Sequence, residues 1–208
     1  MFQEFINDTV TLFVAIDPIG SVPLLAALTR HMKEEERTKL VTRGVFIAGV
    51  VLLGFAIFGH LLLRTMGISF SSFRIAGGII LFIVGLQMVL QDHAGQIKDA
   101  SDKDTQGRDI AIFPIALPYI AGPGAMLAIM VEARNMTESP LQFGMKISSL
   151  LLVMLVTLVA LRNTTRLNKV LGRTGGEVIG RVMGILLAAL AAESVVRGVL
   201  EAFGRTPV

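Results

Sequence analysis

The run from Phe5 to Leu28, with Asp8 near its start, would span a bilayer if the central acid Asp17 were absent; Asp17 opens the segment Asp17-Pro-Ile-Gly-Ser-Val-Pro23. An ionised carboxylate at the centre of a membrane helix costs about 2.5–3.5 kcal/mol or more unless it is paired or hydrated. Two chemistries would justify it. Asp17 can accept a proton or a substrate ammonium, or it can cap a following half-helix by accepting amides near Gly20 and Ser21. Pro18 and Pro23 lack amide donors and Gly20 favours non-helical dihedrals, so the helix is predicted to break near its middle.

A second constellation has the same character. Pro114, Pro118 and Pro123, with Gly122 and Gly124, interrupt another apolar run. An offset of about 104 residues sets Ala15-Ile-Asp-Pro-Ile-Gly-Ser21 beside Tyr119-Ile-Ala-Gly-Pro-Gly-Ala125. Backbone groups freed at that depth are tolerated only inside protein or along a watered cavity, so the two breaks are expected to face each other. Each break leaves a half-helix N-terminus whose unpaired amides and partial positive charge suit a carboxylate. Opposing half-helix C-termini offer carbonyls to a cation. With Asp17 beside those carbonyls, the layout fits a zwitterion such as an amino acid. The candidate binding residues are Asp17, Pro18, Gly20 and Ser21 with Gly122, Pro123, Gly124 and Ala125. The plainer alternative is that proline and glycine are common in membrane helices and merely kink them.

Other chemistries find little support. The chain has no cysteine, which excludes a disulfide framework, a cysteine-type zinc site and thiol catalysis. His31, His60 and His93 have no metal-ligand spacing, and no nucleophile-base pair or acidic metal cluster is visible, so neither an enzyme nor a cofactor is expected. Glu193 and Arg197, four apart, suit an intrahelical ion pair. Arg74 and Arg181 open their helices near an interface, where snorkelling anchors are the default and inward gating pairs the alternative. Gln87 is expected to bond another helix, and Gly180, Gly184, Ala188 and Ala192 form a smooth ridge at four-residue spacing.

The elements that would position these residues are membrane helices. The chain is 53% hydrophobic and 17% charged, against about 45–50% apolar and about 25% charged in soluble domains. Its mean hydropathy is +0.70. Uncharged stretches run over Gly44–Leu63 (20 residues), Ile75–Gln91 (17) and Ile110–Val131 (22), near the roughly 20 residues that span a bilayer. Ile147–Leu161 is a shorter fourth span with Lys146 and Arg162 snorkelling at its ends. Phe5–Leu28 and Val178–Leu200 complete six. Residues 1–16 carry Glu4 and Asp8 but no basic n-region, so the first span is expected to stay in the mature protein. The polar stretch Asp92–Asp109 reads as a solvated linker.

A further match at an offset of about 107, Arg74-Ile-Ala-Gly77 with Arg181-Val-Met-Gly184, opens the third span of each half. The expected architecture is therefore an all-α membrane protein with a first three-helix repeat over 1–91, a cytoplasmic linker over 92–109 and a second repeat over 110–208. Three spans per half is odd, so the second half enters inverted, a plan common among secondary transporters. Twelve Lys and Arg flank the spans on one side (Arg30, Lys33, Arg37, Lys39 and Arg43; Lys98, Lys103 and Arg108; Arg162, Arg166, Lys169 and Arg173) against four on the other (Arg64, Arg134, Lys146 and Arg205), which places both termini outside the cytoplasm. The net charge of +3 forms no continuous basic stripe, so no nucleic-acid surface is expected.

Asp17-Pro-Ile-Gly-Ser-Val-Pro23, Phe73-Arg-Ile-Ala-Gly-Gly78 and Pro114-Ile-Ala-Leu-Pro-Tyr-Ile-Ala-Gly-Pro-Gly124 together resemble the MarC family of prokaryotic inner-membrane proteins. The resemblance covers nearly the whole chain. It implies a six-helix inner-membrane carrier of small neutral amino acids such as alanine, glycine, serine or threonine, distantly similar to exporters of the LysE type. Many members have Asn where this chain has Ser21, a shorter side chain in the implied site. The expected partners are the small-molecule substrate, coupled H+ or Na+, and membrane lipid, with a homo-oligomer left open. A membrane assembly or regulatory protein that transports nothing is the alternative.

Overall fold

The computed structural model describes residues 2–29, 31–90, 111–133 and 140–204, and among them every regular element is helical. In chain order these are α1 (Phe2–Ile16), α2 (Ser21–Leu28), α3 (Glu34–Thr65), α4 (Phe70–Leu90), a π-helix π1 (Ala111–Ile120), α5 (Pro123–Ala133), α6 (Pro140–Arg162) and α7 (Thr164–Ala202). The linker expected over 92–109 lies outside the described residues.

Among the described residues, four helices are long and apolar enough to cross a membrane: α3, α4, Leu141–Arg162 of α6 and Gly175–Ala202 of α7. Their outward faces are apolar too. Phe46, Val50, Ile57 and Phe58 on α3, Ile80 and Ile83 on α4, and Leu151, Leu155 and Val159 on α6 are exposed at helical spacing. Apolar belts of this extent mark contact with lipid or another apolar partner. Inside, buried hydroxyls bond to their own helix: Thr29 Oγ1 donates to Leu25 O at 2.7 Å and Thr157 Oγ1 to Val153 O at 2.8 Å.

The two interruptions expected from proline and glycine are present. The first run divides at Asp17–Gly20 into α1 and α2, and the second divides at Ala121–Gly122 into π1 and α5. Pro114 and Pro118 remove two amide donors from π1, and the ladder there lengthens to five-residue bonds. Its last one runs from Ala121 N–H to Ala116 O at 2.9 Å.

Contacts fix the helix directions. The start of α3 packs on the start of π1, where a Cβ on Gly44 would meet Ile115, and Gly59 near its end meets Met130 of α5. So α3, π1 and α5 run the same way. Asp8 on α1 lies 3.8 Å from Lys146 on α6, joining those two helices. Helices α4 and α7 run antiparallel along a glycine seam: Gly85 abuts Gly184 and Ala188, Gly78 abuts Ala191 and Val195, and Gly198 abuts Ser71 and Ile75. The expected four-residue ridge continues differently. Ala192 is exposed while Ala191 is buried, so the packed face follows Gly184, Ala188, Ala191, Val195 and Gly198, alternating four and three. At 3.6 residues per turn a strict four-residue row drifts off a straight neighbour, whereas alternating four and three keeps facing it.

Other sequence expectations shift. Helix α6 starts at Pro140 rather than at Ile147, which puts Lys146 inside the helix. Arg162–Arg173, expected to connect two spans, is helical from Thr164, and Gly172, at φ 61°, breaks that short helix from the apolar stretch Gly175–Ala202. Helix α3 opens at Glu34, where three glutamates in its first turn suit the helix dipole. Gln87 is exposed rather than bonded to a neighbouring helix among the described residues.

Candidate functional site

Helix α1 ends because Asp17 turns into the left-handed region at φ 47°, uncommon for a residue with a side chain. Asp17 N–H still donates to Phe13 O at 3.0 Å. The Gly20 amide donates to Asp17 Oδ1 at 3.0 Å, and Ser21 Oγ donates to Asp17 O at 2.9 Å. The carboxylate thus folds back over the start of α2. A Cβ on Gly20 would overlap that carboxylate, so a side chain here would displace the Asp17 cap. The capping geometry weighed from sequence is realised.

The second interruption uses no acid. Pro123 is the first residue of α5, where a missing amide costs nothing, and it is exposed. Gly122 is half-buried, and Gly124 and Ala125 are buried. A Cβ on Gly124 would overlap Leu81 of α4. On the first side Pro18 and Ser21 are buried, and Asp17 and Gly20 half-buried. Ile16, Val22 and Leu25 share one buried cluster with Ile120, Ala121 and Ala125. Both interruptions therefore border one buried apolar cluster, with Pro123 itself exposed. A cleft of ≈480 Å³ lies elsewhere, lined by Thr38, Lys39, Thr42, Arg43, Phe46 and Arg162 at the start of α3 and the end of α6.

Around this region the structure pairs charges that sequence left apart. Lys146, expected to snorkel, turns inward, donating to Glu132 Oε2 at 3.3 Å with Asp8 Oδ2 at 3.8 Å. Arg74, also expected as an anchor by default, is buried: its Nη1 donates to Glu201 Oε1 at 2.5 Å, and its guanidinium lies 5.6 Å from the Phe70 ring centre. The inward pairing is the one realised there. Arg181 is exposed. The Glu193–Arg197 pair forms as expected, at 2.5 Å. The sequence signal for the missed acids was thin: Asp8 and Glu132 each stand at the edge of an apolar stretch.

Comparison with known proteins places the chain. The model of MarC family integral membrane proteins matches residues 2–203. A UPF0056 membrane protein of Methanocaldococcus jannaschii is 33% identical over 202 residues, 95% of this chain and 96% of its own length. A UPF0056 membrane protein of Archaeoglobus fulgidus is 33% identical over 202 residues, 95% of this chain and 92% of its own. The UPF0056 inner membrane protein YhgN of Escherichia coli is 28% identical over 197 residues, 95% of this chain and 96% of its own. No solved structure matches. With that match spanning nearly every residue, the chain belongs to the MarC family of integral membrane proteins.

Proposed function

We propose that this protein is a secondary transporter of small neutral amino acids of the alanine, glycine, serine and threonine kind, coupled to H+ or Na+. The observation that carries the reading is the pair of interrupted helices whose breaks share one buried cluster. Membrane carriers place substrate at such breaks because half-helix termini supply amides and carbonyls without side chains. Ser21, Gly122, Gly124 and Ala125 are all small side chains, which on this reading suits a small substrate.

Helix direction supports two inverted repeats. On this reading the segments of the first half run one way, back and again, and those of the second half do the reverse; the directions of α3 with π1 and α5, and of α4 against α7, agree with it. On this reading the chain has six spans, α1 with α2 and π1 with α5 each forming one, and both termini lie outside the cytoplasm by the twelve-to-four bias of basic residues. The relative YhgN is named an inner membrane protein, which agrees with that membrane.

Counterflow of labelled alanine, glycine, serine and threonine into proteoliposomes tests the function. Accumulation of at least one, above protein-free vesicles, is expected; none with folded protein overturns the reading. Asp17→Asn sharpens it. If the carboxylate carries the coupled proton or the substrate ammonium, the variant inserts normally and loses coupled flux or its pH dependence. If Asp17 only caps, flux survives, because Asn caps about as well as Asp.

A further inference from the structure

Asp8, Glu132 and Lys146 come from three different helices, α1, α5 and α6, and meet with side chains only 11%, 17% and 13% exposed. Asp8 stands nine residues before Asp17, and Glu132 nine residues after Pro123. At about 1.5 Å per residue both carboxylates lie about 13 Å along the helices from the breaks, close to half the ~30 Å hydrocarbon thickness. The cluster therefore closes over the two interruptions at one membrane face, the face that carries the start of α1.

Its charges do not balance. Two carboxylates against one ammonium leave one negative charge, and a buried charge without a partner is costly. Among the described residues, the neighbouring helices bring no second Lys or Arg into the cluster. Glu4 on α1, which is exposed, is engaged chiefly by the N-terminal amine and only weakly by Lys146, so that amine and that acid offset each other. Arg74 on α4 is engaged with Glu201 on α7, and Arg197 on α7 with Glu193. Arg64 and His60, near the end of α3, are exposed. Helix α2 and π1 carry no charged residue.

The repeat does not duplicate these two acids. At the 104-residue offset that aligns the breaks, Asp8 corresponds to Ile112 and Glu132 to Leu28.

We propose that Asp8, Glu132 and Lys146 form a proton-binding gate, and that closing this face over the paired breaks takes up one proton, shared by the two carboxyls. With the proton bound the cluster is neutral and ties α1, α5 and α6 together. Without it the carboxylates repel and the face opens. Closure is thus favoured at low pH and lost as pH rises. This rests on the reading of the breaks as a site reached from the membrane faces, and it assigns that site a coupling ion and a one-sided gate.

The absence of cysteine makes access measurable. Ser21→Cys places one thiol at the first break, and Thr65→Cys, exposed at the end of α3 on the same face, gives a reference for the pH dependence of the reagent itself. A membrane-impermeant maleimide is applied to that face between pH 5 and pH 8. The Ser21→Cys rate, normalised to the reference, is expected to rise several-fold with pH. Adding Glu132→Gln, a neutral mimic of the protonated acid, is expected to hold the rate low at every pH, and Asp8→Asn serves as the second variant should the first fail to fold. A normalised rate that ignores pH, or a pH response unchanged in these variants, overturns the gate. Counterflow tests substrate and labelling tests access, so failure of one reading is distinguishable from failure of the other.

Discussion

Gly20 and Gly124 occupy matching positions in the two halves, yet the space a side chain would need is filled by different things. At Gly20 it is the protein's own Asp17 carboxylate, three residues away, bonded to the Gly20 amide. At Gly124 it is Leu81, on another helix. The first break is built locally, from a left-handed aspartate that caps the half-helix it releases. The second is built by its neighbours, with a prolonged π-helix before it and α4 packed against it. A repeated backbone feature can thus be kept while its support moves from hydrogen bonding to packing.

The comparison breaks most visibly at Leu81. Leu81→Ala removes the side chain that fills the second break and is expected to cost about 2 kcal/mol, the low end for a buried leucine because lipid already offers apolar surroundings. Reversible unfolding of the reconstituted protein measures it. Asp17→Ala, which deletes the cap of the first break, is expected to cost about 1 kcal/mol in the same assay. Gly124→Ala is smaller, below about 1 kcal/mol, since the obstructing atom is the far end of a flexible leucine, and it should be non-additive with Leu81→Ala in a double-mutant cycle. Smallest of all is Asp17→Asn, within about 0.5 kcal/mol of wild type, because the amide oxygen still accepts from Gly20. A loss in Asp17→Asn as large as in Asp17→Ala would mean that charge, rather than capping, holds the first break.

Much of this was legible along the chain because its causes are local. Proline removes a donor wherever it stands, so Pro18, Pro114 and Pro118 announced both interruptions, and Glu193 and Arg197 announced their pair by a four-residue spacing that the helix makes into contact. What stayed hidden was joined by tertiary packing. Arg74 and Glu201 are 127 residues apart, and Lys146 looked like an interface anchor until α6 began early enough to turn it inward. The basic stretch Arg162–Arg173 reads as a connection, and it is one that coils into a short helix before the break at Gly172, a detail its charges alone do not announce.

The central claim is that the two interruptions build one internal site, and cross-linking tests it most directly. Ser21→Cys and Ala125→Cys are introduced together into the cysteine-free chain, with a protease site placed within residues 92–109. After treatment with a short bifunctional maleimide and cleavage, the two halves are expected to stay joined on a denaturing gel, and saturating alanine or glycine is expected to slow the joining. Halves that separate, with each cysteine instead modified by a thiol reagent dissolved in the lipid, would contradict it.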